Sequence, residues 1–211
     1  MGGSQGAGNQ GAGNQGGGGF RREITNLPNL VTMGRVALVP GVLYFIDNFS
    51  PLRSFIAAML YIGAAAGDAL DGYLARSRGQ VSVLGKFLDP LADKLIVTAV
   101  LVFMVALGRV PAWLVVVLVA RDLVITGLRS IASAEGMVIA ASDGGKIKTS
   151  FQLVAIMSLL IHFRYPMLGL GLPVDYHRVG LVLLKLSMAV SILSAVAYIR
   201  DFLRASKGAG A

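Results

Sequence analysis

The chain has 211 residues, of which 55% are hydrophobic and 14% charged, and its mean hydropathy of +0.71 is too high for an ordinary water-soluble domain of this length. A formal charge of +8 does not make it a nucleic-acid binder, which needs a soluble basic face rather than long apolar runs; anionic lipid headgroups and phosphorylated substrates fit that charge better. Cysteine is absent, which excludes disulfides and thiolate metal sites, so any metal has to be held by oxygen or imidazole.

Residues 1–19 are nearly all Gly, Ala, Asn and Gln, with GAGNQ repeated at 6–10 and 11–15. Nothing there can bury a core, and a disordered tail is expected. It lacks the basic start and apolar stretch of a signal peptide, so no cleavage is expected. A short N-terminal interfacial helix follows from Phe20 to Pro28, carrying Arg21, Arg22 and Glu23. Six apolar segments come next, at 30–48, 52–76, 82–108, 111–133, 146–163 and 177–203, each close to the ~20 residues a helix needs to cross the hydrocarbon. Backbone polar groups cannot go unpaired in lipid, so helices are the economical solution. The predicted fold class is an all-α membrane protein with six transmembrane helices. Its domain covers 20–204, and residues 205–211 form a C-terminal tail.

Basic residues set the orientation, because short cytoplasmic loops retain Lys and Arg. In a six-span arrangement Arg21, Arg22, Arg76, Arg78, Lys86, Lys146, Lys148, Arg200, Arg204 and Lys207 fall on one side. Arg53, Arg109, Arg164 and Arg178 fall on the other. Both termini and the connection between the second and third segments are therefore predicted to be cytoplasmic. Trp113 and several tyrosines near segment ends suit interfacial anchors, and His162 and His177 read as loop or interface residues, apart from the carboxylates and from each other.

Asp68 and Asp71 lie near the end of the second segment, and Asp89 and Asp93 near the start of the third. Each pair has helical spacing on one face, so two helices joined by a short turn can bring the four carboxylates to one volume. Each aspartate costs ~3 kcal/mol at mid-membrane, and four together repel unless cations bind. Two divalent ions balance them; with oxygen-only ligands these are Mg2+ or Mn2+, and paired metals suit phosphoryl transfer. The small residues at 63–67 serve close helix packing or substrate space alike, whereas Gly72, Ala75 and Gly85 beside the carboxylates leave space for a headgroup. Two other readings of the carboxylates stand beside this one: interfacial ion pairs with Arg76, Arg78, Lys86 and Lys94, and a cation transporter.

Written out, the segment is Asp68-x2-Asp71-Gly72-x2-Ala75-Arg76-x8-Gly85-x3-Asp89-x3-Asp93, which resembles the complete signature of the CDP-alcohol phosphatidyltransferase family. NLPNLVTMGRV at 26–36, ARDLVITGLRS at 120–130 and GKIKT at 145–149 resemble segments of the bacterial phosphatidylglycerophosphate synthases in that family. The resemblance implies a homodimer in a bacterial inner membrane, each subunit having a polar cavity open to the cytoplasmic leaflet. There the phosphatidyl group of CDP-diacylglycerol would pass to glycerol 3-phosphate, releasing CMP. It further implies that Asp68, Asp71, Asp89 and Asp93 hold the two cations and that Asp93 is the general base. Asp68, Gly72, Ala75, Arg76 and Gly85 would receive CDP-diacylglycerol.

A phosphorylated acceptor needs cations of its own. Arg121, Arg129, Lys146 and Lys148 can reach a cytoplasmic cavity, arginine binding phosphate in bidentate fashion and lysine as a point charge. The lysines serve equally as topology signals or lipid contacts, and Asp122 is an alternative partner for Arg121. Arg35 either faces the cavity or snorkels to the interface. Serine, inositol phosphate and phosphatidylglycerol are the other acceptors considered.

Overall fold

Six helices occupy the six apolar segments among the described residues: α1 (Leu27–Phe45), α2 (Pro51–Arg78), α3 (Val83–Ala106), α4 (Ala112–Ala134), α5 (Gly144–Ile161) and α6 (Tyr176–Gly208). The computed structural model describes residues 27–78, 83–135, 144–166 and 173–208, with side chains described over 33–67, 94–135, 147–166 and 173–206. The expected tail at 1–19 lies outside the described residues, as does the interfacial helix at 20–28 except for Leu27 and Pro28, which open α1. At the other end α6 continues four residues into the segment expected as a tail, and residues 209–211 lie outside the description. Between α5 and α6, where no motif is legible, β1 (Arg164–Pro166) pairs antiparallel with β2 (Pro173–Asp175), Tyr165 opposite Val174.

Local chemistry sets the helix ends. Ser50 caps α2: its Oγ accepts the Arg53 N–H at 3.4 Å, and Pro51 takes the first helical position, where a missing N–H does no harm. Asp175 caps α6 in the same way, accepting the Arg178 N–H at 3.1 Å. At the end of α3, Gly108 adopts φ +70°. Its N–H reaches the Val105 carbonyl at 3.0 Å and the Arg109 N–H reaches Met104 at 2.9 Å, the paired bonds of a Schellman stop that glycine permits without strain. That stop carries Arg109 back into the protein.

Arg109 is 2% exposed, and all five of its N–H donors are used. Nε donates to Asn48 Oδ1 at 2.8 Å. One terminal nitrogen donates to the carbonyls of Leu159 and Leu160, both at 3.1 Å, and the other to the Asp47 carbonyl and Ser54 Oγ. Asn48 in turn donates to the Leu107 carbonyl at 3.0 Å. Burial lowers the guanidinium pKa to about 10, against the pull of Asp47, so it stays charged at neutral pH. The α1–α2 turn, the α3–α4 turn and the carbonyl end of α5 therefore meet at one end of the molecule. Odd-numbered helices finish there and even-numbered ones begin, which makes the bundle alternate up and down.

Next to this end lies the apolar core, built from Val39, Val42, Ala57, Tyr61, Val100, Met104, Leu114, Leu118, Ile156, Leu159 and Leu184 among others. α5 and α6 come closest at Gly180, where an added Cβ would lie 2.6 Å from Leu159 Cγ and 2.9 Å from Leu159 N. Large apolar side chains are also exposed on the helices, among them Met33, Phe55, Val102, Val116 and Leu193, while Arg35, Arg109, Lys148 and Gln152 are buried. Among the described residues one stretch, Tyr176–Ser206, is long and apolar enough to cross a bilayer by itself, its most apolar window having a mean hydropathy of 2.2. Among the described residues the apolar stretches of other helices are shorter, such as Pro51–Gly67 and Lys94–Ala106.

Replacing Arg109 by Met strands buried carbonyls, each at ~1–3 kcal/mol. The variant is expected to lose about 3 kcal/mol, read in detergent as a Tm lower by roughly 6–12 °C. Arg109→Lys should recover little of this, since three donors on one atom cannot reach acceptors spread over the α1–α2 turn, the start of α2 and the end of α5.

Candidate functional site

Away from the Arg109 end the six helices enclose a cavity of about 710 Å3 to which each contributes. Arg35 comes from α1, Tyr61, Ala64 and Ala65 from α2, and Lys94, Ile96 and Val97 from α3. Arg121, Asp122 and Arg129 come from α4, Lys148 from α5, and Ser194 and Tyr198 from α6. Among the described residues its wall carries five cations, Arg35, Lys94, Arg121, Arg129 and Lys148, and the single carboxylate of Asp122.

Hydrogen bonds tie several of these groups across helices. Arg121 donates through Nε to the Ser191 carbonyl at 2.9 Å and through Nη1 to Asp122 Oδ1 at 3.0 Å. Lys148 Nζ meets the same Asp122 oxygen. The backbone of Lys148 is fixed as well, its carbonyl accepting Ser187 Oγ at 3.2 Å. Thr126 Oγ1 donates to the Asp122 carbonyl at 2.7 Å and accepts from Lys94 Nζ. Arg129 lies with Cζ 5.8 Å from the Tyr198 ring centre, within cation–π range.

Of the cations expected to serve an acceptor phosphate, Arg121, Arg129 and Lys148 line this one cavity. Lys146 is in the first turn of α5, its side chain outside the described residues. Asp122 does partner Arg121, and it partners Lys148 too. Arg35 lines the cavity and is buried, the first of its two alternatives. Asp68, Asp71, Gly72, Ala75 and Arg76 are helical in α2 and Gly85, Asp89 and Asp93 in α3, with side chains outside the described residues. Among the described residues no three His, Asp or Glu side chains form a metal-binding group.

Three readings of single residues change. Lys94, weighed only as an ion-pair partner, is a cavity cation. Its position directly after Asp93 was the available signal. Arg109, counted as an outward loop charge, is the buried tie described above; a lone arginine between two apolar runs reads as a topology mark. His162 and His177 are not apart. The β1–β2 ladder folds the chain back on itself and sets their rings 4.8 Å apart at their centres, and His162 takes the left-handed conformation that ends α5.

The profile of the CDP-alcohol phosphatidyltransferase family matches residues 25–198. Over 149 residues the chain is 42% identical to the CDP-diacylglycerol–glycerol-3-phosphate 3-phosphatidyltransferase of Bacillus subtilis, covering 65% of this chain and 77% of that one. It is 36% identical over 157 residues to the protein of the same name from Mycoplasma pneumoniae, covering 66% and 69%. A protein of that name from Rickettsia bellii is 30% identical over 176 residues, covering 83% and 94%.

A cavity with four more positive than negative side chains on its described wall should take a small phosphate dianion. At tenfold its dissociation constant, inorganic phosphate is expected to raise the Tm in detergent by about 3–6 °C. Arg121→Met combined with Lys148→Met should abolish that rise, and an undiminished rise would place phosphate elsewhere.

Proposed function

This chain belongs to the CDP-alcohol phosphatidyltransferase family, and from that premise we propose that it transfers the phosphatidyl group of CDP-diacylglycerol to the 1-hydroxyl of glycerol 3-phosphate, giving phosphatidylglycerophosphate and CMP. Several relatives bear the name of this activity, at up to 42% identity. The observation that carries the reading is the cavity itself. Its cations suit an acceptor that has its own phosphate, whereas an uncharged alcohol would leave them with nothing to bind. Helical spacing joins this cavity to the signature: Ala64 and Ala65 precede Asp68 by four and three positions, and Ile96 and Val97 follow Asp93 by three and four, so these two aspartates share a helix face with cavity-lining residues.

The family is membrane-associated and depends on divalent cations. Four carboxylates provide an oxygen donor set of the kind that Mg2+ and Mn2+ prefer, and Asp68, Asp71, Asp89 and Asp93 would hold two such ions. When bound, the pair neutralises the diphosphate as CMP departs. Gly72, Ala75, Gly85 and Arg76 receive the nucleotide, and Arg121, Arg129, Lys146 and Lys148, with Arg35 in reserve, hold the acceptor phosphate. Asp93 takes the proton of the 1-hydroxyl. The oxygen attacks the phosphorus that bears diacylglycerol, and the bond from that phosphorus to the bridging oxygen breaks, its electron pair leaving with CMP. No side chain is needed as a nucleophile.

All six helices cross the membrane in this reading. Lipid meets the outward apolar side chains, and the buried charges are withdrawn into the bundle. The Arg109 end is on the outer side of a bacterial inner membrane, and the cavity and both termini are cytoplasmic. A homodimer, which the family resemblance implies, is the expected unit.

CMP release by the purified protein tests the reaction. It should require CDP-diacylglycerol and glycerol 3-phosphate, stop on chelation and return with Mg2+ or Mn2+. Release driven by serine, inositol phosphate or phosphatidylglycerol instead would overturn the acceptor. Asp93→Asn is expected to cut kcat by about 100-fold or more while leaving the KM for CDP-diacylglycerol near that of the wild type. Normal turnover by this variant would remove Asp93 as the base.

A further inference from the structure

We infer that Asp122 is a positioning residue for the acceptor phosphate, a carboxylate that sets the spacing of the two cations that grip it. The inference rests on the reading of the cavity given under Proposed function. Asp122 is an anomaly in an anion-binding wall: among the described lining residues it is the one acidic side chain facing five cations. By charge alone it should weaken phosphate binding. Its contacts give it another role.

Arg121 and Lys148 reach the site from different helices, α4 and α5, and meet at one atom, Asp122 Oδ1. Without that oxygen two like charges would face each other across the cavity, and each long side chain would be free to turn away. The far side of each is already fixed on α6. Ser191 receives Arg121 Nε through its carbonyl, and Ser187, one turn earlier, donates to the carbonyl of Lys148. Ser187 and Ser191 are both buried, and α6 is seated against α5 at Gly180. Asp122 thus closes a frame whose other members cannot move independently. Donors remain for a ligand: Arg121 Nη2 has no hydrogen-bond partner among the described residues, and Lys148 uses one of the three N–H bonds of its ammonium on Asp122.

The same residue links the frame to the reacting end. Its carbonyl accepts Thr126 Oγ1, and that hydroxyl accepts Lys94 Nζ from α3. Lys94 adjoins Asp93 in sequence. A phosphate held by Arg121 and Lys148 is therefore kept in register with the helix that bears the proposed base. Positioning of this kind affects acceptor capture first, because the diphosphate of the lipid substrate is bound by other residues.

The test sets the charge effect against the positioning effect, since the two have opposite signs. Wild-type CMP release is measured first against glycerol 3-phosphate; if it does not depend on that acceptor, the reading of the cavity falls and the inference with it. With that dependence in hand, Asp122→Asn is expected to raise the KM for glycerol 3-phosphate about tenfold or more, with the KM for CDP-diacylglycerol changed less than about twofold. Asp122→Glu, which keeps the charge, should recover part of the loss. A KM for glycerol 3-phosphate that falls or stays level in Asp122→Asn would overturn the inference alone, leaving the carboxylate as a mere opposing charge. Equal rises in both KM values, with a lower Tm, would overturn it in favour of a general structural role. Should Asp122→Asn fail to fold, Asp122→Glu gives the same discrimination through a smaller rise confined to the acceptor.

Discussion

The architecture depends on a charge almost wholly shielded from water. Arg109 directs five N–H groups at five acceptors from the α1–α2 turn, the start of α2 and the end of α5. A buried guanidinium left unsatisfied would be among the most destabilising groups a protein could hold, so its position fixes the positions of all its acceptors. Two of them are carbonyls from the last turn of α5, which have no partner within their own helix. One side chain thereby resolves the helix-end problem of one element and joins two turns to it.

Fixing the helices at that end determines what the other end can be. Next to Arg109 the space is filled by Val42, Met104, Leu114, Leu159 and Leu184; farther away it is occupied by a cavity whose described charged residues are basic except for Asp122. Cations of this kind can stay inside because each is held by something. Arg121 and Lys148 share Asp122, Lys94 has Thr126, and Arg129 lies over Tyr198. The outward surfaces carry Phe55, Val102, Val116 and Leu193. Buried charges beside the cavity and large apolar side chains on the outside depart from the usual arrangement of a water-soluble bundle, and the combination suits one molecule to handle a charged headgroup and a hydrocarbon tail.

Much of this was legible in the sequence, for reasons that differ from one residue to the next. Helix positions could be read because the apolar runs are each close to the ~20 residues of a spanning helix. Asp68, Asp71, Asp89 and Asp93 could be read as a set because their spacing is that of helix faces and matches a long fixed pattern. Arg121, Arg129 and Lys148 could be gathered because each stands inside or beside an apolar run, where a charge needs a reason. Roles that arise from contact between distant segments could not be read. Arg109 and Leu159 are 50 positions apart, and nothing near either one announces the other. His162 and His177 are brought together by a three-residue ladder with no recognisable pattern. Lys94 stands beside an aspartate, and its contact with Thr126, 32 positions away on α4, has no local signal.

The acceptors of Arg109 also impose an order on synthesis. Asp47, Asn48 and Ser54 have already been made when Arg109 leaves the ribosome, but Leu159 and Leu160 follow it by 50 and 51 residues. During that interval the guanidinium has only part of its final coordination, and the first four helices carry a charge that is incompletely satisfied. They are therefore not a self-sufficient folding unit. The fifth helix, arriving late, completes the set, and the nascent chain reaches this hydrogen-bonding state only after most of its length has been made.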